Sequence, residues 1–102
     1  MKEYYEIKGR GEAVRIERVT YANNDTLAIA LVTSTGEPYC NLTVNLPDSL
    51  IWGDERTAFV DTNNCPWAEE FIKENNLGVP MNYIARSGFC TYPLYRFNID
   101  NM

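Results

Sequence analysis

The chain has no histidine. That removes the side chain whose unperturbed pKa lies nearest neutrality, and with it the commonest general acid–base group. Serine triads and most zinc hydrolases are excluded in their usual forms. The three cysteines, Cys40, Cys65 and Cys90, are far apart in sequence and form no C-x-x-C pair. They read as thiols in or near the core of a cytosolic protein rather than as a disulfide framework or a metal site. Cys65 lies where a helix is expected to start, a position that lowers a thiol's pKa, so it is the one candidate nucleophile. The six glycines make no phosphate-binding loop and no dinucleotide fingerprint; Gly9-Arg10-Gly11 does not qualify. No apolar run approaches the ~20 residues that span a bilayer. Met1-Lys2-Glu3-Tyr4-Tyr5-Glu6 has no apolar core of a secretory signal, which places the protein in the cytoplasm. There the acceptor patterns at Asn24 and Asn41 would carry no glycan. These absences point to a chain that is not an enzyme, takes no cofactor and no metal, and has no membrane partner.

What is present is negative charge, unevenly placed. The net charge is −5. Lys2, Lys8, Arg10, Arg15 and Arg18 crowd the first eighteen residues. Between Glu37 and Glu74 lie eight carboxylates, opposed only by Arg56 and Lys73. Such a surface does not bind nucleic acid through phosphates, because counterion release needs cations. It suits a basic protein surface, or keeps a small protein soluble.

The apolar pattern is that of a sheet protein. Residues 27–32 form a short run with Leu27, Ile29 and Leu31 on one face and two alanines on the other. Cys40, Leu42, Val44 and Leu46 alternate with Tyr39, Asn41, Thr43 and Asn45, which predicts a half-buried strand. Between the two runs, Ser34-Thr35-Gly36-Glu37 is a hairpin turn, with Gly36 supplying positive φ. Residues 13–21 predict a strand whose phase changes near Glu17-Arg18, as a bulge would produce. A short strand over residues 4–7 precedes it, and residues 1–12 otherwise read as flexible. Residues 48–56 read as a loop in which Leu50, Ile51 and Trp52 either fold back onto the core or expose Trp52 as a partner anchor. Tyr39 either joins a solvated sheet face or contacts a partner.

Residues 57–61 predict a fourth strand. A helix over residues 66–76 follows, capped by Asn64 or Cys65, with Pro66 in its first turn. Trp67, Ala68, Phe71 and Ile72 give it a buried stripe. Asn76 or Gly78 is the left-handed stop. Residues 79–88 read as a connection, and the aromatic segment 88–97 as a last strand in which Pro93 demands an edge or a bulge. The order β-β-β-β-α-β predicts one α+β domain, a mostly antiparallel twisted sheet with a single helix packed on one face.

Thr20-Tyr21-Ala22-Asn23-Asn24, Leu27-Ala28-Ile29, Gly36-Glu37-Pro38-Tyr39 and residues 42–47, with Ser87-Gly88-Phe89 and Tyr92-Pro93, resemble a small domain family carried by mobile elements and phages of Gram-positive bacteria. Some proteins of that kind are type II-A anti-CRISPR inhibitors. The resemblance implies a non-catalytic inhibitor that binds a basic nuclease, Cas9 alone or with its guide RNA, and blocks guide or DNA engagement. The matched residues are turn and core residues and name no binding site. The charge pattern supplies the candidates: Asp54, Glu55, Asp61, Glu69, Glu70 and Glu74, with Trp52 and Tyr39 as aromatic anchors. The alternative is an accessory or regulatory factor of a mobile element with another protein partner, including a second copy of itself at an exposed strand edge.

Overall fold

The computed structural model describes residues 4–7, 9, 11–21, 26–46 and 54–101, among which are two four-stranded antiparallel sheets, one short α-helix and a 3-10 turn at Ile99–Asn101. The first sheet is a meander of β1 (Tyr5–Ile7), β2 (Glu12–Thr20), β3 (Leu27–Thr33) and β4 (Pro38–Asn41), paired in that order. The second contains β5 (Thr43–Val44), β6 (Thr57–Val60), β7 (Gly78–Ser87) and β8 (Cys90–Phe97), in spatial order β5-β6-β8-β7. Helix α1 (Ala68–Glu74) joins β6 to β7. The architecture is α+β, as expected, but the single sheet of the sequence reading is two.

The division occurs at Leu42. The alternating run 39–46 was expected to be one strand; it bends between β4 and β5 and changes sheets. Leu42 N–H donates to the Ile29 carbonyl in β3 at 2.9 Å, while its own carbonyl accepts from Asp61 N–H at 2.9 Å. Its side chain is fully buried. Thr43, placed on the polar face by alternation, is buried as well. Its hydroxyl oxygen receives the Ile29 N–H at 3.0 Å and lies 2.9 Å from the Tyr21 hydroxyl. A polar group so placed must be paired, since an unmade bond there costs roughly 1–3 kcal/mol.

The helix is shorter than expected. It begins after Trp67, with no side-chain cap, so neither Asn64 nor Cys65 is the capping residue. Both belong to the turn that precedes it. Asn76 takes the left-handed conformation at φ 53°, one of the two stops expected. Gly78 has another role: a Cβ there would stand 2.6 Å from the Arg96 carbonyl oxygen, so only glycine lets β7 approach β8 this closely.

Of residues 79–88, read as a connection, all but the turn residue Gly88 belong to β7, the longest strand among the described residues. Its alternation is concealed because the register shifts between Pro80 and Ile84, with Asn82 at φ 60°. Pro93 lies in β8, an interior strand, yet the pairing with β6 runs only from Thr57↔Arg96 to Phe59↔Leu94. At Pro93 the strand is locally an edge, which is the condition proline needs. The bulge expected in β2 is absent: its register with β3 is unbroken from Val14↔Thr33 to Thr20↔Leu27. Val19 faces outward and is half exposed, which accounts for the phase change. Gly36 turns the β3–β4 hairpin at φ 88°. Within the N-terminal segment, Tyr5 and Ile7 are buried and paired with Val14 and Glu12.

One cluster unites the inner faces of both sheets and the helix. Ile7, Val14, Ile29, Leu31, Leu42, Val60, Phe71, Ile72, Leu77 and Phe97 are among its buried members. Each such side chain contributes on the order of 1.5–3 kcal/mol by leaving water. A satellite cluster of Phe59, Ala85, Tyr92 and Leu94 occupies the other face of the second sheet.

Candidate functional site

The carboxylates grouped by sequence are dispersed by the fold. Asp61 is buried and closes the turn before the helix. Its Oδ1 accepts from Asn64 N–H at 3.1 Å, its Oδ2 from the Asn64 amide at 2.9 Å, and its carbonyl from Cys65 N–H at 2.9 Å. Asp54 does the same for β6. Its Oδ1 accepts from Arg56 N–H at 2.7 Å, Thr57 N–H at 2.8 Å and the Thr57 hydroxyl at 3.0 Å. Its carbonyl receives Leu27 N–H at 2.8 Å, tying β6 to β3. Partial burial pushes this carboxyl upward. The bonds from Arg56 and Thr57 and the charge of Arg96 outweigh burial, so the group is held below its ordinary value. Glu55 is exposed beside it, next to the Arg56–Asp100 ion pair at 3.7 Å.

Tyr95 and Arg96 are consecutive in β8 and therefore point to opposite faces of the second sheet. Tyr95 donates to Glu69 Oε1 at 2.7 Å, whereas Arg96 acts on Asp54. The Asp54–Glu55 corner and the helix glutamates are thus separated by the sheet. Burial, reinforced by the bond to Glu69, pushes the Tyr95 phenol up to about 12. Glu69 is held in place as the acceptor of a neutral hydroxyl.

The helix is where candidate residues converge. Glu69, Glu70 and Glu74 are exposed on α1, with Lys73 the one cation in its last turn. Glu70 and Glu74 are four apart, hence neighbours on the helix surface. They share a crevice with Ile7, Trp67 and Phe71. Trp67, read as part of the buried stripe, is only half buried, because it precedes the first helical turn and sits at the rim of the core. Tyr39 packs 6.3 Å from Trp67, centroid to centroid. Trp67 meets Phe71 edge-on at 5.8 Å, and Phe71 meets Tyr5 at 6.2 Å. Tyr39 is thereby a member of an aromatic chain linking β4, the helix and β1. On the opposite flank, Glu69, Glu70 and Lys73 border an open groove of about 680 Å³ whose other wall is Val79 and Pro80 of β7.

Residues 15–102 match the family described as "Domain of unknown function (DUF4313)". The chain belongs to this family. No curated protein and no solved structure matches it. Trp52 lies outside the described residues. Of the other candidates, the fold brings Glu70, Glu74 and Tyr39 around Trp67, places Glu69 on the other flank of the helix against Tyr95, and sets Asp54, Glu55 and Asp61 apart. Sequence reasoning missed Trp67 as a surface residue and Tyr95 as the partner of Glu69. A signal for the second existed: a tyrosine in the last strand, on the same face as Phe97, must find a partner for its hydroxyl when covered. Among the described residues no cluster of three cysteine or carboxylate side chains is placed to hold a metal, and no helix is long and apolar enough to cross a membrane. Cys65 stands three residues before the helix, not at its first turn.

Proposed function

We propose that this chain is a non-catalytic binding module that offers an acidic, aromatic helix face to a basic protein. The observation that supports this reading is the juxtaposition on α1: Glu70 and Glu74 flank a half-buried Trp67 that is backed by Tyr39. An arginine or lysine approaching that face meets carboxylates for its charge and an indole for its flat or apolar part. Tryptophan in a rigid setting is the residue type that most often anchors an interface. The family resemblance read from the turn and strand residues suggests the partner, a nucleic-acid-handling nuclease of bacterial defence such as Cas9, free or guide-loaded, whose channels for RNA and DNA are basic. Docking of an acidic protein there would keep guide or target out.

The test is the double reversal Glu70→Lys with Glu74→Lys, which leaves the Tyr95–Glu69 bond intact. Binding to purified Cas9, with and without guide RNA, and inhibition of DNA cleavage should both weaken at least tenfold. Equal potency of the reversed protein would contradict the reading.

A second reading rests on another observation. The β7 edge and the β7–β8 turn expose Val79, Met81, Ile84 and Phe89. An accessory factor with a different protein partner, or with a second copy of itself, would use this apolar edge instead of the helix. Sedimentation of the wild type against Phe89→Ser with Ile84→Ser separates self-association from a charge-driven contact.

A further inference from the structure

Two of the three cysteines, distant in sequence, are neighbours in the fold. Cys65 Sγ lies 3.4 Å from Cys40 Sγ and 3.7 Å from the Asn41 carbonyl oxygen. None of the three cysteines is in a disulfide. Both positions are fixed by structure already described. Cys40 is the penultimate residue of β4, two before the sheet-changing Leu42 and opposite Leu31 of β3. Cys65 is held by its own N–H on the Asp61 carbonyl, in the turn that Asp61 closes. The contact therefore joins the bend between the sheets to the approach of the helix.

The two thiols differ in access. Cys40 is half buried and can be reached from solvent; Cys65 is 1% exposed. One attackable thiol with a shielded one in contact is the arrangement of an attacking and a resolving cysteine. We infer that Cys40 and Cys65 form a reversible intramolecular disulfide by exchange with a small-molecule disulfide such as glutathione disulfide. The Cys40 thiolate attacks one sulfur of glutathione disulfide and expels a glutathione thiolate, which takes up the Cys40 proton. The Cys65 sulfur then attacks the Cys40 sulfur of the mixed disulfide, expels the second glutathione, and passes its proton to it. Two protein thiols are oxidised, and one glutathione disulfide is reduced to two glutathione molecules.

The bond closes a covalent ring over residues 40–65. That ring contains the sheet crossing at Leu42, all of β5 and β6, and residues 45–56. Closing a loop of this length restricts the unfolded chain far more than the folded one, because the folded sulfurs already touch. Trp67, two residues beyond Cys65 in the chain, serves as the fluorescent reporter. This inference does not depend on the partner proposed above.

The experiment incubates the full chain with excess glutathione disulfide. Thiols titrated in denaturant should fall from three to one, with an intact mass lower by two hydrogens and a proteolytic fragment linking Cys40 to Cys65 while Cys90 stays alkylatable. The thermal midpoint should rise by roughly ten degrees and return on reduction. In a Trp52→Phe background, Trp67 emission should drop on oxidation. Cys40→Ser and Cys65→Ser should each abolish the linked fragment. Should Cys65→Ser fail to fold, Cys40→Ser and the wild-type fragment map decide alone. Three thiols remaining, a persistent glutathione adduct on Cys40, a link through Cys90 or between chains, or a lowered thermal midpoint would each overturn the inference.

Discussion

The aspartates at positions 54 and 61 and the glutamates at 70 and 74 carry the same charge within one acidic segment, and the fold uses them in opposite ways. Each aspartate turns its short side chain back onto the backbone two or three residues ahead. Asp61 takes the Asn64 N–H, and Asp54 those of Arg56 and Thr57. The glutamates, one methylene longer and in a helix whose backbone is bonded to itself, stand on its exposed face. Side-chain length and backbone context divide the acidic residues into those that build turns and those that form a surface. Charge count alone could not make that division.

The difference can be tested by substitution, beginning where the largest effect is expected. Asp61→Ala removes two acceptors from a buried turn that positions both Cys65 and, through Asp61 N–H, Leu42. A loss of about 1–3 kcal/mol in denaturant-unfolding free energy is expected. An unchanged midpoint would place Asp61 with the surface residues.

Asp54→Ala should cost about 1 kcal/mol, a value taken from the hydrogen bonds it loses. Asp54 also gives stability a pH dependence. Its carboxyl is held below its ordinary value of 3.8, so it contributes stability above that pH. The contribution is lost as pH falls through its lower folded value. Asp54→Asn should therefore flatten the acid limb of the stability profile below about pH 4.

Tyr95→Phe should cost less than 1 kcal/mol, since it removes one bond to a carboxylate that water can also solvate. Its sign is reversed with respect to pH. The phenol is raised from 10.0 to about 12, so its contribution is present below pH 10 and is lost as pH rises toward 12. Burial also raises Tyr21 and Tyr92, so absorbance titration should find several tyrosines ionising late, and the step near 12 should vanish in Tyr95→Phe. Glu70→Lys with Glu74→Lys should cost no more than about 1 kcal/mol of stability, since Glu70 lies in the first turn of α1. The larger effect of that variant is expected on binding.

Much of the first sheet was legible in the sequence because its signals are local. The β3–β4 turn needs Gly36, β2 alternates as far as Ile16, and β3 runs apolar from Leu27 to Val32. The second sheet was harder to read for physical reasons. A bend at Leu42 does not disturb alternation, so one run conceals two strands in different sheets. Pro80 and the left-handed Asn82 interrupt β7, so the longest strand looks like a connection. The proximity of Cys40 to Cys65 and the bond from Tyr95 to Glu69 are both tertiary. No spacing in the chain encodes either. Within the candidate site, the helix and its glutamates could be read directly. Trp67 was assigned to the core because periodicity locates the stripe but does not show that the helix begins at Ala68, two residues later than expected.

The central claim is that the helix face, and not the turn-building aspartates, carries recognition. Calorimetric titration of guide-free Cas9 with the wild type, with Glu70→Lys/Glu74→Lys and with Asp54→Asn, at low and at physiological salt, tests it most directly. The account predicts that the helix reversal loses affinity at least tenfold and flattens the salt dependence, while Asp54→Asn binds like the wild type. Equal affinity for all three proteins, or no binding by the wild type, would contradict it.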